Sequence, residues 1–112
     1  MEIQLIENTC IITPLTPKAD FREWGRLYEE FKKYSKYKLG LDLSFIEDCT
    51  FEFIEALTDF SKSHKIGLFN ISSDVFAIFN LMNLDKHAEL FSSELDFFET
   101  SHRIINRKFA LI

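Results

Sequence analysis

The amino-acid sequence predicts an α/β fold, with a mixed sheet of four to five strands packed with about four helices. Three observations carry that expectation. Alternating or β-branched apolar stretches recur along the chain, and between them lie stretches with apolar residues at three- and four-residue spacing. The resulting order, β-β-α-β-α-β-α-(β)-α, implies parallel strand pairs joined by right-handed crossovers. The length, 112 residues and 13.2 kDa, suits a single domain spanning 1–112. A folded chain of this mass exposes about 6,400 Å² against about 19,000 Å² unfolded, enough burial for one modest core without staples.

The elements follow in order. Residues 2–6 alternate weakly and stop at the turn pair Glu7-Asn8, and Thr9-Cys10-Ile11-Ile12-Thr13 is β-branched and stops at Pro14. Together they form a hairpin. Thr16-Pro17 offers a cap with proline at the first helical position, and Asp20 with Glu23 offers a second start. Phe21, Trp24, Leu27, Tyr28, Phe31 and Tyr34 then make one apolar helical stripe, with charged residues opposite. Residues 38–43 alternate with Leu39, Leu41 and Leu43 on one side, a strand. Residues 50–64 return to helical spacing, with Phe53, Ile54, Leu57 and Phe60 on one face. Residues 66–71 make a short apolar strand. Ser72 or Ser73 caps a helix with Val75, Ile78, Phe79 and Met82 inward, ended by Asn83-Leu84-Asp85. Leu90-Phe91 is a short edge strand, and Ser92-Ser93 opens a last helix with Leu95, Phe98 and Ile105 inward.

Composition narrows the function classes. Hydrophobic residues at 46% and charged residues at 28% describe a globular chain. Thirteen Phe against three Gly and two Pro promise more aromatic surface than a core of this size needs. A net charge of −5 gives nucleic acid no electrostatic footprint. No apolar run approaches the roughly 18 residues that would insert in a bilayer, and the first residues lack the basic segment of a signal peptide. A cytoplasmic protein with two reduced thiols, Cys10 and Cys49, is the expectation.

Each chemical motif meets a simpler explanation. Cys10 or Cys49 could act as a nucleophile with His64, His87 or His102. However, Glu47 and Asp48 beside Cys49 raise a thiol pKa, so a small thiol enzyme is the minor alternative. The histidines lack metal-ligand spacing, so no metal is expected. Glu47, Asp48, Glu52 and Glu55 suit a helix N-terminus better than acid–base or Mg²⁺ chemistry. Gly25, Gly40 and Gly67 are isolated and form no phosphate loop, so no cofactor is expected. The basic run from Lys32 to Lys38 suits a helix C-terminus better than an anionic surface. The apolar tail at 104–112 packs on the sheet edge or joins a second copy in a homodimer; both readings stay open.

Three stretches carry a family likeness: Leu41-Asp42-Leu43-Ser44, then Asn70-Ile71-Ser72, then Ser73-Asp74-Val75-Phe76-Ala77-Ile78-Phe79-Asn80-Leu81-Met82-Asn83-Leu84-Asp85. In these, residues 41–84 resemble the STAS domain, named for sulphate transporters and anti-sigma factor antagonists. The resemblance implies a protein-binding module without enzymatic activity. Aligned without gaps, the family's Asp-Ser-Ser-Gly falls on Thr50, Phe51, Glu52 and Phe53, which keeps Ile54, Ala56, Leu57 and Phe60 at buried helical positions. In the antagonists the first serine of that motif is phosphorylated by the partner kinase; here Phe51 offers no hydroxyl. A shortened loop would instead set Asp48-Cys49-Thr50 on Asp-Ser-Ser and make Thr50 the candidate phosphosite, but it moves Glu52 to an apolar helix position.

The resemblance further implies a partner surface at the start of the second helix, with its neighbouring loop and the third helix. Here that rim carries Phe45, Phe51 and Phe76 with Asp48, Thr50 and Glu52, and Glu47 and Phe53 beside them. Aromatic anchors within an acidic rim suit a protein interface; repacking of the rings into the core is the competing reading. The implied partner is an anti-sigma factor or kinase-like protein in a bacterial regulatory pathway. The alternative is the ATPase of a lipid-transporting ABC system, which STAS subunits also attend.

Overall fold

The computed structural model describes residues 1–102; the tail at 104–112, and Ile105 with it, lies outside the described residues. Strands β1 (Glu2–Ile6) and β2 (Thr9–Thr13) form the expected hairpin, with Ile3 opposite Ile12. Its two-residue turn holds Glu7 at φ 55°, in the left-handed region. The chain continues through β3 (Lys18–Ala19), α1 (Phe21–Lys33), β4 (Lys38–Asp42), β5 (Asp48–Cys49), α2 (Phe51–Ser63), β6 (Ile66–Phe69), α3 (Ser73–Leu81), a 3-10 turn (Leu84–Lys86), β7 (Glu89–Leu90) and α4 (Glu94–His102). The main sheet has the order β1-β2-β4-β6-β7, antiparallel at β1–β2 and parallel elsewhere.

Capping side chains set the helix starts. Asp20 accepts the Glu23 N–H, Thr50 the Phe53 N–H and Ser72 the Val75 N–H, each satisfying an otherwise orphaned donor. Thr16-Pro17 therefore does not open α1. Pro17 instead offers its carbonyl to the N–H groups of Glu47 and Asp48, and β3 follows it. The strand ends also fall slightly inside the expected ranges. Asn70 and Asn83 turn the chain at φ 56° and 62°, and asparagine tolerates that region better than most residues. The edge strand is Glu89–Leu90, one residue earlier than expected, although Phe91 N–H still donates to the Leu68 carbonyl.

One face of the sheet, with Cys10, Ile12, Leu39, Leu41, Ile66 and Leu68, carries the main core. Trp24, Leu27 and Phe31 of α1, Phe53, Ile54, Leu57 and Phe60 of α2, and Val75 and Phe79 of α3 pack onto it, with Ile78 and Met82 partly buried. Two members of the expected α1 stripe, Phe21 and Tyr28, are exposed instead, while Glu23 is buried and pairs with Arg26 at 3.3 Å.

On the opposite face α4 packs Phe97 against Ile11 and Phe69. Gly40 and Gly67 lie side by side in the register of β4 and β6 and leave a hollow, which the fully buried Phe97 ring fills. A Cβ at Gly67 would stand 2.5 Å from that ring and one at Gly40 2.8 Å. This corrects the expected inward face of the last helix: Leu95 is exposed, Phe98 is half-buried, and the core residue is Phe97. A ring is favoured wherever the sheet beneath it lacks side chains, and that hollow, not helical spacing, chooses the face.

Candidate functional site

The carboxyl ends of the parallel strands bring together the starts of α1, α2 and α3. Asp42, at the end of β4, ties two loops there: its Oδ1 accepts the Ser44 N–H at 3.0 Å and the Asn70 side-chain amide at 3.1 Å. Leu43 N–H donates to the Phe69 carbonyl alongside. These are residues of the motif that suggested the family, and here they fix the loop ends beside the helix tips.

A second, miniature sheet was not legible in the sequence. β3 and β5 pair in parallel, Lys18 with Asp48 and Ala19 with Cys49, and Thr50 N–H donates to the Ala19 carbonyl at 2.9 Å. The capping residues Asp20 and Thr50 therefore follow paired residues in matching register. The Glu23 N–H, above all, holds the Asp20 carboxyl below its usual range, as expected of an N-cap carboxylate. The first helical residues, Phe21 and Phe51, are 65% and 62% exposed. Phe21 is thus a candidate contact residue that the helical stripe concealed. Its position directly after a cap is the signal that could have revealed it.

Among the sequence-predicted residues, Phe45 in the β4–β5 connection is 55% exposed and Phe76 in α3 is 42% exposed. Asp48 and Glu52 are exposed beside them, with Glu47. Phe53 takes no part in this surface: it is fully buried and meets Trp24 edge-on at 6.1 Å. Ile54, Leu57 and Phe60 are buried and Ala56 half-buried, as the gapless spacing requires. From Phe51 a groove of about 350 Å³ runs between α2 and the end of α3, past Glu55 and Asp59 to Leu81 and Met82.

Thr50 is half-buried, and its Oγ1 accepts the Phe53 N–H at 3.2 Å. Thr50→Ala is expected to cost about 1 kcal/mol and Thr50→Ser almost nothing. Paired thermal melts check this; an alanine variant as stable as the parent would remove the cap from the account.

The thiols are free and buried. Burial, and then the Asp48 charge, pushes Cys49 from its ordinary 9.0 up to about 12. Burial, and then Glu30, pushes Cys10 up to about 11. Both are therefore neutral at pH 7 and weak nucleophiles. Because the folded-state pKa values are raised, the fold gains stability from these thiols below pH 9, and loses it as pH rises through 11 to 12. Neither cysteine should react with a thiol-exchange reagent at pH 7 faster than the protein unfolds, and melting temperature should fall above pH 9. Rapid labelling of native protein at neutral pH would contradict this. Among the described residues no cluster of three or more His, Cys, Asp or Glu could hold a metal ion, and no helix is long and apolar enough to cross a membrane.

No protein-family model and no curated protein matches the chain in sequence. Solved structures do match its fold. The crystal structure of a protein described as a candidate anti-sigma factor antagonist from Thermotoga maritima superposes with a TM-score of 0.77 at 17% identity, covering 91% of this chain and 94% of that one. The solution structure of the same protein gives 0.70 at 17% identity, over 90% and 87%. The murine Solute Carrier 26 family member A9 anion transporter gives 0.67 at 22% identity, over 83% of this chain and 17% of the transporter. The fold is therefore STAS-like, an α/β fold with a five-stranded mixed sheet and four helices.

Proposed function

We propose that this chain is a non-enzymatic protein-binding module, a cytoplasmic regulatory adaptor of the anti-sigma-factor-antagonist kind that works without the usual phosphoserine. The observation that carries the reading is the set of large rings left in solvent at the carboxyl ends of the strands, Phe45, Phe51 and Phe76, while the neighbouring Phe53 and Phe79 are fully buried. Exposed aromatic anchors beside acidic groups are what a protein interface uses. The fold shared with the T. maritima protein supports the same reading. Thr50 would serve as an alternative phosphate acceptor, since a phosphate there adds about two negative charges beside Asp48 and Glu52.

Affinity capture from a bacterial lysate, followed by titration of each captured protein against Phe51→Ser and Phe76→Arg, tests the surface. Either change should weaken a genuine partner by about 30-fold, the scale of a hot-spot residue, with the melting temperature nearly unchanged because both rings are exposed. A partner that binds parent and variants equally would refute this rim. A kinase-like or anti-sigma partner supports the regulatory role, whereas an ABC ATPase would move the same rim to a transport complex.

A further inference from the structure

A second cavity lies at the opposite end of the sheet from the aromatic rim. It has a volume of about 510 Å³ and opens where β4 and β6 begin, among Tyr37, Lys38, His64, Lys65, Glu89 and Phe97. That volume falls in the range of small-molecule sites, about 300–1,000 Å³. Its floor is apolar. Gly67 contributes no side chain, and the Phe91 and Phe97 rings meet edge to face at 5.5 Å.

The charges on its wall do not balance. Lys65 pairs with Glu89 at 3.3 Å. Lys38 projects over the Phe97 ring, Nζ 4.4 Å from the centroid, and among the described residues it forms no ion pair within 4.0 Å. The charged groups that face it are Glu89, which favours its charge, and Lys65, which opposes it. Burial is the larger effect and lowers its pKa. An ammonium partly withdrawn from water over an apolar floor, beside a lysine already engaged, is one for which a negative ligand would restore the lost solvation.

We propose that this cavity binds a small organic anion, with one carboxylate-like group on Lys38 and a planar apolar body against the partly exposed Phe91 ring. The site is separate from the rim: Lys38 and Lys65 stand at the amino ends of their strands, whereas Phe51 and Phe76 stand beyond the carboxyl ends. It therefore stands or falls independently of the docking proposal.

The test titrates the full chain with 2-naphthoate, its neutral analogue 2-naphthylmethanol and inorganic phosphate, by calorimetry and amide chemical shifts. Naphthoate should bind saturably and shift Leu39, Lys65 and Gly67. The alcohol and phosphate should each bind about tenfold more weakly, since each lacks one half of the recognition. Lys38→Met should weaken naphthoate about tenfold and Lys38→Arg should restore most of it, while Lys18→Met, on β3 and outside the cavity lining, should change nothing. Lys65→Met stands in if Lys38→Met fails to fold, with a smaller loss expected. Absence of saturable naphthoate binding, equal binding of the alcohol, shifts centred on Phe51 and Leu81, or indifference to both lysine changes would each overturn the assignment.

Discussion

Trp24→Ala is expected to destabilise the protein by about 3–5 kcal/mol, the scale of removing a large buried ring. Trp24 is the hub where α1 meets α2. Its ring lies 6.1 Å from Tyr28, Phe31 and Phe53 and 5.8 Å from Phe60. Phe31 and Phe60 stack at 4.9 Å beside it, and Phe60 in turn stacks on His64 at 4.3 Å. No small side chain can keep this set in contact, so the loss includes a cavity as well as the transferred surface. Urea unfolding followed by far-ultraviolet circular dichroism measures it, because Trp24 is also the only tryptophan. Tyr28→Ala, at an exposed neighbour in the same cluster, should cost far less. Similar losses for the two variants would mean that the cluster has no centre.

Gly67→Ala carries the second large effect, about 1–3 kcal/mol from overpacking. The added methyl meets Phe97 at 2.5 Å and Phe91 at 2.9 Å, so it displaces the ring that seats α4. Hydrogen exchange should accelerate in α4 and leave the strands protected. The decisive measurement is the pair with Phe97→Ala. Once the Phe97 ring is gone, Gly67→Ala should cost much less, with only the approach to Phe91 left to relieve, a strong departure from additivity. Additive losses would show that the glycine is needed for a reason other than this ring.

Much of the architecture was written locally. Asp20 with Glu23, and Ser72, announce helix starts through the hydrogen bonds their oxygens accept, whereas the cap at Thr50 emerges only in the structure. The alternation of Leu39 and Leu41 announces a strand. Three features depend on neighbours distant in sequence and so were not legible. β3 and β5 have two residues each, too few for any period, and exist only because they find each other. In α4, Leu95, Phe97 and Phe98 give no single apolar face, and the choice of Phe97 is made by glycines on two other strands. The anion cavity gathers three separated segments, whose lysines look singly like ordinary solvated charges. Phe45, Phe51 and Phe76, which only the family resemblance singled out, are exposed in the structure, whereas Phe21 was hidden in a stripe that suited burial.

The ladder between β3 and β5 acts as a yoke. Because Pro17 and Ala19 hold the backbone of residues 47–50, the leading ends of α1 and α2 are joined by main-chain hydrogen bonds as well as by the contact of Trp24 with Phe53. The exposed rings of Phe21 and Phe51, each directly after a helix cap, are thereby set in matching register at one end of the sheet.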